Sequence, residues 1–212
     1  MKIDRAGFPF IAAALVPAAA LVAARRYGWA AALAGVGGFC AYFFRDPDRT
    51  VPSEPHLVVS PADGRVMIAG PADKASSPPG SWTQVAIFLS PLDVHINRSP
   101  VAGKVTRIEY QPGRFLPAYD ARADENERNE IWVDANGTTV VFRQVVGILA
   151  RRIVCRITEG QSVRLGERIG LMKFGSRMDV FLPADTALRV QVGQSVVAGE
   201  TILATLRSGD AA

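Results

Sequence analysis

Two uncharged runs at the N-terminus constrain this chain more than any other feature. Phe8 to Ala24 carries no charge, Arg25-Arg26-Tyr27-Gly28 interrupts, and Trp29 to Phe44 is again uncharged. Each run falls slightly short of the about 20 residues that span a bilayer comfortably. One such run followed by a polar chain would read as a cleaved signal peptide; two in succession do not. Buried core helices could also be uncharged, but an Ala-rich pair joined by a basic turn fits a membrane helical hairpin better. Trp29, Tyr42 and Phe43-Phe44 are suitable interface anchors. Arg25-Arg26 in the turn resists translocation, whereas Lys2, Arg5, Arg45 and Arg49 draw both ends inward. A shallow re-entrant hairpin and a short two-pass anchor both fit. Either leaves the remaining chain on the cytoplasmic side of the cell membrane.

The organisation expected is therefore a hairpin over 1–44, a linker over 45–55 rich in proline and charge, and a β-rich domain over 56–212. Leu57-Val59, Arg65-Ile68, Gln84-Leu89, Lys104-Tyr110, Ile131-Val133, Thr138-Val145 and Leu149-Ile157 have strand character. Asn136-Gly137 between two of them is a strong hairpin signal. Pro71 to Ser81 reads as a loop, and Pro112 to Asn129 is the longest polar interval, of a length that is usually functional or mobile. The net charge of +4 and isoelectric point near 9.4 suit work beside anionic lipid. No aromatic-basic motif points to nucleic acid. Cys40 and Cys155 make neither a disulfide framework nor a metal site, so no metal is expected.

An internal repeat closes the chain. Glu159 to Ile169 matches Val192 to Ile202, with Gly, Gln, Ser, Val, Gly, Glu and Ile recurring at one offset. The repeat resembles the hammerhead turns of biotinyl and lipoyl carrier domains, which are flattened β barrel-sandwiches. Met172-Lys173 also resembles a biotin site, so a swinging-arm carrier modified on Lys173 is the alternative reading.

Lys173-Phe174-Gly175-Ser176-Arg177-Met178-Asp179 lies between the strand-like runs Ile169-Met172 and Val180-Leu182. An isolated Gly-Ser is an ordinary turn. Inside a β framework, a serine hydroxyl after glycine can attack the carbonyl of its own preceding peptide bond, because glycine adds no bulk and tolerates strain. Elimination from the resulting ester leaves dehydroalanine, which hydrolyses to a pyruvoyl group and ammonia. The chain would then be cut between Gly175 and Ser176. Such chemistry needs a base for the hydroxyl and donors for the oxyanion. Asp63 stands in Ser60-Pro61-Ala62-Asp63-Gly64, and His95 follows an apolar strand between two prolines; His56 is the only other histidine.

In order along the chain stand Ser-Pro-Ala-Asp-Gly, Leu-Asp-Val-His-Ile-Asn-Arg-Ser-Pro-Val-Ala-Gly, Glu-Asn-Glu-Arg-Asn, Ala-Arg-Arg-Ile-Val and Lys-Phe-Gly-Ser-Arg-Met-Asp. Together these segments resemble the short form of phosphatidylserine decarboxylase, a membrane-anchored pyruvoyl enzyme, from about Phe43 onward. The resemblance implies self-cleavage at Gly175-Ser176, with Ser176 becoming the covalent pyruvoyl group. It implies that Asp63 is the acidic member of the cleavage machinery and His95 the histidine of the Asp-x-His segment. Arg98 stands where longer members have a second histidine, which leaves His95 to serve both steps or moves the base role elsewhere.

The implied reaction converts phosphatidylserine to phosphatidylethanolamine and carbon dioxide. A pyruvoyl carbonyl takes up the electrons released as the carboxylate leaves. An acid must then reprotonate the carbon, for which a histidine is suited. Arg98, Arg114 and Arg128 are candidates for the substrate's carboxylate and phosphodiester, and Asn126-Glu127-Arg128-Asn129 for ordering the long loop. Expected partners are a phospholipid, the membrane, the large (1–175) and small (176–212) chains of one precursor, and a second copy in a homodimer.

Overall fold

A computed structural model describes residues 2–54, 56–120, 122–148, 152–173, 175–184 and 186–206. The chain divides into two compact units, Met1–Asp48 and Arg49–Ala212. In the first, β1 (Lys2–Ile3) pairs antiparallel with β2 (Arg45–Asp46) and ties together the ends of a helical hairpin. The hairpin is α1 (Phe8–Ala23) and α2 (Tyr27–Phe43), reversed through Arg25 at φ 58°. Gly37 lets the helices touch, since a Cβ there would stand 2.7 Å from Leu15 Cδ2. Val16 and Trp29 are 68% and 71% exposed, the apolar outer face that lipid requires. Arg5–Ala23, of hydropathy 2.0, is long and apolar enough to cross a membrane; no second helix among the described residues is.

The interface role expected of Phe43-Phe44 is corrected. Both are 1% exposed. Phe44 stacks on Phe10 with ring centroids 5.4 Å apart and meets Phe43 edge-on at 5.0 Å. Gly7 makes the room, because a Cβ there would fall 2.6 Å from the Phe44 side chain. These rings are the packed base of the hairpin, and Trp29 and Tyr42 stay exposed.

The second unit is mainly β. Its strands are β3 (Leu57–Val59), β4 (Gly64–Pro71), β5 (Trp82–Leu89), β6 (Ile96–Arg98), β7 (Gly103–Gln111), β8 (Arg128–Ala135), β9 (Thr138–Val146), β10 (Ile153–Cys155), β11 (Ser162–Val163), β12 (Arg168–Met172), β13 (Ser176–Pro183), β14 (Ser195–Val196) and β15 (Ile202–Thr205). Eight form a curled sheet in the order β11-β7-β8-β9-β13-β5-β4-β14. The small sheets β10-β12-β6 and β15-β3 contribute to the core that the curled sheet lines. That core includes Val66, Ile87, Ile131, Phe142, Met178 and Val180 from the large sheet, and Val58, Ile169, Met172 and Leu203 from the small ones. Asn136 and Gly137, at φ 55° and 86°, make the tight β8–β9 turn. Of the expected Leu149-Ile157 strand, only Ile153–Cys155 is strand (β10) among the described residues; Arg152, Arg156 and Ile157 are not, and 149–151 lie outside the described residues.

The repeat folds twice into the same device. Gly160 N–H donates to Val105 O and Gly193 N–H to Val66 O, both at 2.8 Å. Gly166 N–H reaches Ser99 O at 2.9 Å and Gly199 N–H reaches Ser60 O at 2.8 Å. The targets are themselves alike: Ser60 Oγ donates to Ala62 O at 2.6 Å and Ser99 Oγ to Val101 O at 2.7 Å. One copy supplies β11 and the other β14, so the two repeats occupy opposite edges of the large sheet. Each is a short strand, which limits the exposed ladder that could recruit another chain.

Candidate active site

Three neighbouring strands end together at the site. Ser176 opens β13, and antiparallel pairing sets it beside Leu89, the last residue of β5, and Val146, the last of β9. Just before it the chain leaves the three-stranded sheet at Met172 and enters the eight-stranded one. Gly175 makes the switch at φ 74°, a conformation that costs glycine nothing extra for lack of a Cβ. Ser176 is fully buried, and its Oγ has no hydrogen-bond partner among the described residues. Leaving a buried polar group unmatched costs about 1–3 kcal/mol, so stability does not explain this hydroxyl.

His95 is delivered by the turn after β5, which closes through Ser90 N–H to Asp93 Oδ2 at 2.7 Å. It is 1% exposed. Its Nδ1 lies 2.9 Å from the Asp93 carbonyl oxygen, which can only accept, so Nδ1 carries the hydrogen. Nε2 is thereby an acceptor, and it receives Gly175 N–H at 3.3 Å. The pair of contacts selects a neutral imidazole with its lone pair on the Gly175 side, the form a base requires.

The carbonyl of Gly175 is approached closely by Gly147, where a built Cβ would fall 2.5 Å from that oxygen. Beyond it lies a cavity of about 140 Å³ between Phe88, Pro91, Pro117, Tyr119, Ile148 and Gly175. Tyr119 closes edge-on over Phe88 with centroids 5.7 Å apart. The long loop carrying Tyr119 is fastened by Asn126, 1% exposed. Its Nδ2 donates to Leu116 O at 2.8 Å and to Val146 O at 2.9 Å, and its Oδ1 accepts Leu116 N–H at 2.8 Å. The segment expected to order this loop does so.

On the opposite face of β13, Arg177 binds Asp179 at 2.9 Å and also Asp124 of the long loop. Burial alone would lower the Arg177 pKa, but the two carboxylates outweigh it and hold the guanidinium above its ordinary range. Arg143 pairs with Glu130 and donates to Ser76 O in the loop after β4. Burial and the neighbouring Arg143 lower the pKa of Arg128, whose guanidinium caps Asp124 O. Both faces of β13 are therefore packed, and every residue from Ser176 to Leu182 is buried.

The remaining expected site residues lie apart from these groups. Asp63 accepts Arg49 at 2.6 Å and Ala198 N–H at 2.8 Å; neither Ser176 nor His95 is among its hydrogen-bond partners. It shares the wall of a cavity of about 520 Å³ with Phe88, Ser90 and Asp93, which puts it near the turn that bears His95. Arg98 is buried with its guanidinium on Gly166 O at 2.9 Å. Arg114 makes an exposed pair with Glu125 at 3.2 Å. None of these arginines lines the cavity beside Gly175. Gly147 escapes sequence reasoning, because nothing in a lone glycine after a strand tells which carbonyl it will meet. His56, at φ 61°, lines a different cavity of about 450 Å³. No metal-binding cluster occurs among the described residues.

In this mainly β protein, a buried serine with no partner for its hydroxyl among the described residues follows a left-handed glycine whose N–H meets a histidine. Comparison with known proteins gives the family. A family model described as phosphatidylserine decarboxylase matches residues 36–204. The phosphatidylserine decarboxylase proenzyme of Paramagnetospirillum magneticum is 43% identical over 99% of this chain and 89% of that protein. The proenzymes of Pelodictyon phaeoclathratiforme and Chlorobium phaeobacteroides are each 48% identical over 78% of both chains. The chain belongs to the phosphatidylserine decarboxylase family. The alternative of a carrier modified on Lys173 is overturned by that membership. The hammerhead repeats that suggested it build the sheet edges instead, as described above.

Proposed function

We propose that Ser176 is the source of the pyruvoyl group, that the chain cuts itself between Gly175 and Ser176, and that His95 is the base for that cut. The chain is a pyruvoyl-dependent decarboxylase that converts phosphatidylserine to phosphatidylethanolamine and carbon dioxide. The observation that carries the residue assignment is the buried Ser176 Oγ without a partner, next to a glycine whose N–H meets His95 Nε2 at 3.3 Å. The same observation is the test of fit: the hydroxyl is unused for stability, and the neighbouring cavity leaves space beside the new chain end.

Once formed there, the group supplies a carbonyl that withdraws electrons as the carboxylate is lost. The chain's own residues do the rest. Gly147 fixes the Gly175 carbonyl, and the Asp93 carbonyl holds His95 with Nε2 unprotonated. Burial of Ser176 excludes water from the hydroxyl before the cut. Phe88, Pro117, Tyr119 and Ile148 line an apolar entrance suited to the glycerol end of a lipid. Asp63, which shares a cavity wall with Ser90 and Asp93 and is locked to Arg49, supports the cut through the histidine's electrostatic surroundings rather than by contact.

The membrane association of this family fits the apolar Arg5–Ala23 helix. Arg25 and Arg26 at one end and Lys2, Arg5, Arg45 and Arg49 at the other favour a catalytic unit on the cytoplasmic face. Protease protection in sealed vesicles reads that orientation. The same reading extends to a homodimer, which the mass of the protein in lipid nanodiscs tests.

Intact mass under denaturing conditions tests the assignment. The parent should give two fragments parting at Gly175/Ser176, the smaller blocked to Edman degradation. Ser176→Ala should give one folded, uncut, inactive chain; efficient cutting of that variant would sink the assignment.

A further inference from the structure

Within the mostly apolar interior of the curled sheet, three buried amides form a row. Asn129 on β8, Gln144 on β9 and Asn97 on β6 are all at most 4% exposed. Asn129 Nδ2 donates to Gln144 Oε1 at 3.2 Å, and Gln144 Nε2 donates to Asn97 Oδ1 at 2.9 Å. The row crosses three strands and ends at Asn97 Nδ2, which is buried and has no partner among the described residues. A chain of polar groups in a core is costly when any member is unmatched, so the open end calls for an acceptor.

Register places one candidate acceptor on the same face, though the two atoms are not hydrogen-bonded to each other here. Gln144 pairs with Met178, and Val146 pairs with Ser176. Residues two apart on a strand share a face, so Gln144 and Ser176 are diagonal neighbours on the inner face, beside the core residues Met178 and Val180. His95 and Asn97 are likewise two apart on one extended segment. His95 meets Gly175, and Asn97 meets Gln144 opposite Met178. Along the chain, Ser176 falls between Gly175, which His95 meets, and Met178, which is paired with Gln144. Its Oγ and Asn97 Nδ2 are both buried polar atoms without a partner.

We propose that Asn97 is a further residue of the self-cleavage machinery, donating from Nδ2 to Ser176 Oγ while that hydroxyl gives its proton to His95 Nε2. The amide row fixes where the donor stands: Gln144 holds Oδ1, so only Nδ2 can face the serine. In the step it serves, the Oγ–H proton passes to Nε2 and a bond forms from Oγ to the Gly175 carbonyl carbon. The bond from that carbon to Ser176 N then breaks, and the nitrogen takes the proton from Nε2. No external reactant is consumed. The inference rests on the assignment of Ser176 made above.

The test follows fragment formation against time and pH in the full-length protein, with thermal unfolding recorded for each variant. Asn97→Ala removes the donor, and Asn97→Asp keeps the shape and the acceptor for Gln144 but removes the donor. Both should form fragments about a hundredfold more slowly than the parent; in Asn97→Ala, which adds no charge beside His95, the pH midpoint of cutting should stay unmoved. A variant that unfolds at the parent's temperature and cuts at the parent's rate overturns the proposal. If neither Asn97 variant folds, Gln144→Met leaves Asn97 present but unheld; slowed cutting supports the proposal and the parent's rate overturns it. Ser176→Ala, run alongside, separates the two levels. Its cutting would remove the serine assignment itself, whereas its failure to cut alongside normal Asn97 variants removes only the role of Asn97.

Discussion

Gly147 owes its role to the one atom it lets approach. A methyl group there would press on the Gly175 oxygen at 2.5 Å. Gly147→Ala should therefore cost about 1–3 kcal/mol of stability by overpacking and slow self-cleavage beyond what the lost stability explains; cutting at the parent's rate in a stably folded variant would show that the carbonyl can move freely. Asp63 raises a different question, since its two oxygens are taken by Arg49 and Ala198. Asp63→Asn should slow cutting, whereas Arg49→Ala should leave it nearly unchanged, because the carboxylate remains close to the His95 turn. Equal slowing in both would make the ion pair, rather than the carboxylate, the feature that matters. The candidates Ser176 and His95 stood out in the sequence because the chemistry they suggest is rare and their flanking segments are distinctive. Gly147, Asn97 and Gln144 did not, because each meets a partner 28 to 47 positions away that only the folded chain brings close.

At the scale of the element, β13 stands out as a strand with no free face. Its inner face enters the core, and its outer face carries Arg177 and Asp179 under the long loop. Arg177→Met would leave Asp179, fully buried, without its cation. The expected loss is about 3–5 kcal/mol, the usual cost of breaking a buried pair from one side, together with slower self-cleavage and easier proteolysis of the long loop near Asp124. Chemical denaturation and limited proteolysis read the two effects; an unchanged midpoint with an intact loop would show the network to be dispensable. Because the carboxylates raise the Arg177 pKa in the folded state, its contribution persists at every pH below the ordinary arginine range. Strand positions such as Gln84-Leu89 and Thr138-Val145 were readable from their apolar β-branched runs. The outer ion network was not, because charged residues alternating along a strand read as a solvated face until a loop is seen to cover them.

Across the whole molecule, the cut divides a chain but not a sheet. The small chain would keep β13 between β5 and β9, β14 on β4 and β15 on β3. The two fragments should therefore co-elute under native conditions and part only in denaturant; loss of the small fragment on a native column would contradict this topology. The duplicated turns were visible in the sequence, and their family likeness to carrier domains was a likeness of architecture. What they do here depended on knowing that the copies sit at opposite edges of one sheet. The depth of Ser176 has a further consequence for the cell's economy of this enzyme. A group made from a residue in the middle strand is neither drawn from a vitamin pool nor exchangeable with one. Each polypeptide is primed once, and a chain whose carbonyl is chemically spoiled cannot be reloaded. Sustained capacity for the reaction is then governed by how fast new chains are synthesised and mature, and old ones are cleared.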